Sequence, residues 1–164
     1  FIPVQMADNG NGNPNQYDRS SFKGLLKATK KAMEDGFDVL ILPEGQLNPW
    51  PERGLLPVFP GAFKVAQMSR RPIRMAAIHG LHRLWHPDES VGMKVTSRRA
   101  SIRAYPSFGD RRFESGEEFV ETFRAVVGHF GAFGEDLPAE ELQDWLDGTA
   151  WKEKKEQKER EDSL

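Results

Sequence analysis

The stretch that most constrains this chain is "DVLILPEGQLNPW", residues 38–50. Four apolar, branched residues run straight into a proline, a single carboxylate and a glycine. A short continuous apolar run of this kind predicts a strand covered on both faces, as in a parallel sheet. The segment before it, "RSSFKGLLKATKKAMEDG", places Phe22, Leu25, Leu26, Ala32 and Met33 at helical spacing, with Ser20 as the expected N-cap and Gly36 just past the end. "FIPV" at the start reads as a further strand, and the Gly/Asn/Pro cluster of "ADNGNGNPNQYD" as a surface loop. Strand, helix, strand predicts a parallel crossover.

The alternation continues downstream. "FPGAFKVAQMSR" is helical in character, "PIRMAAIHG" has strand length, and "ASIRAYPSF" alternates as an edge strand does. Phe119, Val120, Phe123, Val126, Val127 and Phe130 form the stripe of an amphipathic helix, with Ser115 as N-cap and Glu117 and Glu118 in its first turn. "LPAEELQDWLDG" predicts a short helix between Pro138 and Gly148. The fold class is therefore α/β, a mainly parallel sheet flanked by helices, with residues 1–148 as the domain. Residues 149–164 read as a charged helical or disordered tail, because the five basic and five acidic residues between Lys152 and Asp162 leave no apolar stripe. In particular, strands at 39–42 and 73–78 are expected as parallel neighbours.

Composition removes several functions. The 23 Lys and Arg against 25 Asp and Glu give a net charge of -2, which speaks against a dedicated nucleic-acid partner. Without cysteine the chain has no disulfide, thiolate metal site or cysteine nucleophile. No apolar run approaches the ~20 residues that span a bilayer. "HGLHRLWHPDE" carries His79, His82 and His86 beside two acids, but their spacing matches no standard zinc pattern and reads as a polar loop after a strand; no metal is expected.

A carboxylate just after a buried strand can pair with a base, orient a substrate or move a proton. Gly45 gives the backbone conformational freedom beside Glu44, and Pro43 stiffens the approach. Residues 42–80, "LPEGQLNPWPERGLLPVFPGAFKVAQMSRRPIRMAAIHG", resemble the glycerolipid acyltransferase family that includes the lysophosphatidic acid acyltransferases. Pro43, Glu44 and Gly45 match its Phe-Pro-Glu-Gly-Thr-Arg-Ser block. Phe59, Gly61, Ala62 and Phe63 match its Gly-Ala-Phe block, and Pro72 with Ile73 opens the following strand. With "FIPV" as the family's earlier block, the resemblance spans residues 1–105.

The resemblance implies transfer of an acyl group from acyl-CoA or acyl carrier protein, as co-substrate and with no bound cofactor, to a hydroxyl of a lysophospholipid or glycerol phosphate in phospholipid biosynthesis. It implies an enzyme associated with a membrane surface, in endoplasmic reticulum or plastid. Independently of the resemblance, Trp50 and Trp85 are candidate amphipathic anchors, and the "SRR" sequences at 69–71 and 97–99 are candidates for contact with anionic headgroups. The acceptor site would include Pro43, Glu44, Gly45, Gln46, Arg53 and Gly61. Gln46 and Leu47 stand where the family has Thr and Arg, so Arg53 is a candidate replacement for the missing guanidinium, the alternative being a solvated loop charge. The family's base comes from a His-x-x-x-x-Asp box. Here His79, His82, His86 and His129 are followed five residues on by Leu84, Pro87, Val91 and Gly134. Together with the start on Phe1, this predicts a polypeptide truncated at its N-terminus; a non-catalytic lipid-binding or interaction module on the same fold is the rival. Loss of a general base costs about 100-fold or more. The purified chain is thus expected to form no product above background from acyl-CoA and lysophosphatidic acid, and ready turnover in that assay contradicts the truncation.

Overall fold

A computed structural model of the protein describes residues 19–45, 48–58, 60–69, 71–84, 86, 99–109 and 111–163. "FIPV" and the loop after it lie outside the described residues. The chain divides into two compact units, one of residues 1–46 and 57–71, the other of residues 47–56 and 72–164.

The first unit pairs two helices. α1 (Arg19–Glu34) starts before Ser20, which therefore lies inside the helix and is not its N-cap. Its half-buried stripe includes Phe22, Leu25, Leu26, Ala32 and Met33, with Thr29 fully buried beside them. The C-terminus closes as a Schellman motif: Gly36, at φ 92°, donates to the Met33 carbonyl at 3.2 Å, and Phe37 donates to Ala32 at 3.0 Å. Arg71 adds to this closure, donating to the Met33 carbonyl at 2.6 Å and the Phe37 carbonyl at 3.0 Å. Its guanidinium is thus engaged at a helix end. α2 (Pro60–Ser69) packs on α1 and buries Ala62 and Val65, with Pro60 in the first-turn position that needs no N–H donor.

Between these helices in the chain, residues 38–42 form neither helix nor strand and have no sheet partner among the described residues. Leu40 is 85% and Leu42 70% exposed, so the expected buried strand is not formed. Run length and branching favour a strand, but they carry no information about the partner.

The second unit holds the sheet. β1 (Ala76–His79) pairs antiparallel with β2 (Ser101–Ala104), matching Ala76 to Ala104 and Ile78 to Ile102. The ladder runs on past the strands, as Tyr105 donates to the Met75 carbonyl and Phe108 to Ile73, each at 3.0 Å. The described protein is a mixed, helix-rich α/β chain with a two-stranded antiparallel sheet, and the expected parallel pairing of 39–42 with 73–78 is replaced by this one. One sheet face is buried through Met75, Ala77 and Tyr105; on the other, Ala76, Ile78, Ile102 and Ala104 are exposed.

Helices cover the buried face. α4 (Gly116–Phe123), a π-helical segment (Arg124–Gly128) and α5 (His129–Phe133) form one continuous rod, preceded in the chain by the one-turn α3 (Leu81–Leu84). Phe119, Phe123, Val126, Val127 and Phe130 are buried along it and Val120 half-buried, as the stripe predicts. Ser115 is the N-cap, its hydroxyl accepting from the Glu118 N–H at 3.1 Å. α6 (Ala139–Asp147) starts after Pro138 and ends at Gly148, φ 93°. α7 (Thr149–Glu161) then lies along α4, anchored by buried Trp151 and by pairs from Lys154 to Glu121 and Lys158 to Glu117.

Arg111 joins these parts. Its guanidinium meets Glu118 at 2.7 Å, donates to the Trp145 and Leu146 carbonyls at 2.7 and 2.6 Å, and lies over the Phe108 and Phe113 rings. The side chains of Arg111 and Glu118 are only 14% and 5% exposed, so removing the cation leaves a buried carboxylate without its partner. Arg111→Met is expected to lower unfolding free energy by about 3 kcal/mol. Denaturant unfolding measures this, and a change below about 0.5 kcal/mol, typical of a surface position, contradicts it.

Candidate functional site

The residues singled out in the sequence fall in different places. Pro43, Glu44 and Gly45 form a tight turn closed by the Gly45 N–H on the Leu42 carbonyl at 3.0 Å. Proline at the second position and glycine at the fourth are the residues such a turn favours. Gly45 has φ 69°, and a Cβ there would meet no atom within 4 Å. Its glycine is therefore required by backbone conformation, not by a crowded neighbour. Glu44 is half-buried at the tip. Gly61 is buried at the start of α2 in the same unit. Gln46 lies outside the described residues, and Arg53 belongs to the second unit.

Arg53 sits in a compact loop over residues 48–54. Asn48 ties it together: its side-chain oxygen accepts from the Trp50 N–H at 3.0 Å and its amide donates to the Gly54 carbonyl at 2.8 Å. Inside, Pro51–Arg53 make a single 3-10 turn, with Arg53 N–H on the Trp50 carbonyl and Gly54 N–H on that of Pro51. Side chains three apart eclipse in this geometry. Arg53 accordingly lies over the Trp50 ring, its guanidinium carbon 5.0 Å from the ring centre. The same indole meets the His86 ring edge-on at 5.3 Å, and it is 47% exposed.

α5 supports this loop from below, packing against the 3-10 turn and against β1. His79, the last residue of β1, has Nδ1 2.9 Å from the Gly131 carbonyl. A carbonyl can only accept, so Nδ1 carries the proton and Nε2 is the free lone pair in the neutral ring. Gly134 makes this seat possible: a Cβ there would stand 2.9 Å from the His79 ring, and its φ of 76° is itself left-handed. His82, on α3, is lowered from its ordinary imidazole value mainly by burial and next by the Arg83 charge, with Glu52 acting in the opposite sense.

Two arrangements gave no signal in the sequence. Tyr105 donates to the Val126 carbonyl in the π segment at 3.3 Å and to Asp136 at 3.0 Å, and Asp136 also pairs with Arg103 at 2.6 Å. Burial and the Asp136 carboxylate push the phenol upward, so it remains a donor at physiological pH. The second is the Gly131 and Gly134 seat of His79, which joins residues 52 positions apart. Among the described residues no three His, Asp or Glu side chains converge as a metal site, and no helix is long and apolar enough to cross a membrane.

No protein-family model, curated protein or solved structure matches the chain.

The His82 shift has a consequence for stability. Its depressed folded value means that the unfolded state binds the proton more readily, so stability is full above the ordinary histidine value of about 6.5 and falls as pH drops below it. His82→Gln is expected to flatten the decline in thermal midpoint between about pH 6.5 and pH 5. An unchanged pH profile in that variant contradicts the assignment.

Proposed function

We propose that the chain contributes the acceptor-binding part of an O-acyltransferase acting on a lysophospholipid or glycerol phosphate at a membrane surface, in endoplasmic reticulum or plastid. The observation that carries this reading is the order and spacing of three blocks: Pro43, Glu44 and Gly45; then Phe59, Gly61, Ala62 and Phe63; then Pro72 and Ile73. The tight turn at Gly45 and the helix opening at Pro60 support it. So does the exposed Trp50, an amphipathic side chain suited to a bilayer interface. The reading carries with it a mainly parallel sheet in which residues 38–42 would be a strand.

In the reaction, the acceptor hydroxyl oxygen attacks the thioester carbon of acyl-CoA or acyl carrier protein. The carbon–sulfur bond breaks, and the hydroxyl proton passes through a general base to the departing thiolate, giving an ester and a free thiol. No histidine here has an aspartate five residues on, so none of the four supplies the base in the family's His-x-x-x-x-Asp form. Glu44 orients the acceptor hydroxyl or a basic partner at the polar end of the site, and Gly45 sets the turn that presents it. A carboxylate repels phosphate, so the acceptor's anionic group is held by a cation or by backbone N–H groups. The missing histidine box also favours a second reading, a non-catalytic lipid-binding module on the same fold.

Glu44→Gln separates the two. In the natural polypeptide in which this sequence occurs, the substitution is expected to lower kcat or acceptor affinity about tenfold or more, equivalent to about 1.4 kcal/mol, with the thermal midpoint unchanged. Full activity in a folded Glu44→Gln variant defeats the assignment, and absence of acyl transfer in the unsubstituted protein favours the binding module.

A further inference from the structure

We infer that Ser101, at the start of β2, is a phosphorylation site for a serine/threonine protein kinase that reads arginines ahead of its acceptor, and that Arg103 receives the phosphate once it is in place. Alone among the serines and threonines of the chain, Ser101 has arginine both two and three residues before it, at Arg99 and Arg98, and it is followed by the apolar Ile102. Arg98 lies outside the described residues. Guanidinium groups at fixed distances ahead of the acceptor are what a carboxylate-lined substrate groove selects, and an apolar residue after it fills a pocket beside the transferred group.

The structure presents this segment as such a groove needs it. Arg99, Ala100 and all four residues of β2 are exposed. Ser101 and His79 form the terminal pair of the ladder, so Arg99 and Ala100 precede it outside the sheet, while β2 itself is already extended. Basic residues beside an edge strand also deter pairing with other chains. That role does not account for Ile102, which stands 74% exposed between Ser101 and Arg103. An arginine-directed kinase uses both features, the charges before the acceptor and the bare isoleucine after it.

In the transfer, the Ser101 hydroxyl oxygen attacks the γ-phosphorus of ATP. The bond from that phosphorus to the β–γ bridging oxygen breaks, ADP leaves, and the hydroxyl proton passes to the catalytic aspartate of the kinase. The product carries a charge of about -1.5 to -2 at neutral pH and three strong acceptor oxygens. Side chains two apart on a strand share a face, so Arg103 lies on the same face as Ser101, as does His79 directly opposite. Arg103 is half-exposed and paired with Asp136 at 2.6 Å. The phosphoserine competes with that carboxylate for the guanidinium, and a dianion beside a planar donor fork is the stronger partner. Phosphorylation therefore loosens the tie between β2 and Asp136, to which Tyr105 also donates. None of this depends on acyl transfer.

The test is incubation of the folded full chain with magnesium ATP and the catalytic subunit of cyclic AMP-dependent protein kinase, well below the thermal midpoint, with the modified residue located by tandem mass spectrometry. One phosphate is expected on Ser101, and none at that position in Ser101→Ala. Arg99→Ala is expected to lower the kcat/KM of phosphorylation about tenfold or more with an unchanged thermal midpoint. In the phosphorylated protein, Arg103→Gln is expected to shift the phosphorus resonance of the phosphoserine. Incorporation at other residues with Ser101 unmodified, modification only of the heat-unfolded chain, or an Arg99→Ala variant phosphorylated as fast as the unsubstituted protein overturns the site. A phosphorus resonance that is the same with and without Arg103 overturns its part in holding the phosphate.

Discussion

The second unit depends on one buried cation. Arg111 stands where three elements end or begin: the loop leaving β2, the first turn of α4 and the last turn of α6. Each would otherwise bury polar groups without partners. The last carbonyls of a helix have no donors within it, and Arg111 supplies two of them. Glu118 would be an isolated buried charge, and Arg111 neutralises it while the Glu114 N–H takes its other oxygen. Phe108 and Phe113 close over the guanidinium, so the same contact that satisfies the charges also continues the aromatic core.

That anchor is felt at the candidate site through a rigid rod. With α4 fixed at its start, the stripe from Phe119 to Phe130 presses the π segment and α5 onto the sheet, and Tyr105 fastens the π segment through the Val126 carbonyl. The far end of the rod supports the site. Leu55, just beyond the 48–54 loop, lies against Gly128, and His79 is seated between Gly131 and Gly134. Small residues along one side of α5 let a loop and a strand end approach its backbone closely. The Arg53 and Trp50 stack is therefore borne by packed structure although it lies at the surface.

Much of the helical structure was legible because its signals are local. Ser115, Glu118, Pro138, Gly36 and Gly148 mark helix ends by chemistry that acts within a turn, and the 3.6-residue stripe of α4 and its continuation follows from the residues alone. Ser20 misled because a cap can be recognised only relative to a known helix start, and the helix begins at Arg19. Strand pairing was not legible. "DVLIL" and "MAAIH" have the same apolar character, yet the first leaves Leu40 and Leu42 exposed and has no sheet partner among the described residues, while the second pairs antiparallel with "SIRA". The turn at residues 42–45 is local chemistry, with Pro43 and Gly45 at positions such turns favour. The stacking of Arg53 on Trp50 needed the 3-10 turn, and the seat of His79 needed contacts across half a hundred residues. The contact of Arg71 with the end of α1 was likewise not legible, since it joins residues 38 positions apart.

The functional account starts from two features of the first unit, a turn that carries Glu44 and a helix that opens on Pro60 and Gly61. Under the proposed function the carboxylate faces the acceptor's hydroxyl and not its phosphate, and the block order of the sequence is what relates these features to acyl transfer. The most direct measurement is product identification by mass spectrometry, using membranes that contain the natural polypeptide in which this sequence occurs, supplied with acyl-CoA and lysophosphatidic acid. The account predicts diacylglycerol phosphate formed in step with free coenzyme A, above the level of matched membranes lacking the protein. Release of coenzyme A and esterified lipid at the control level, with the protein present and folded, would contradict it.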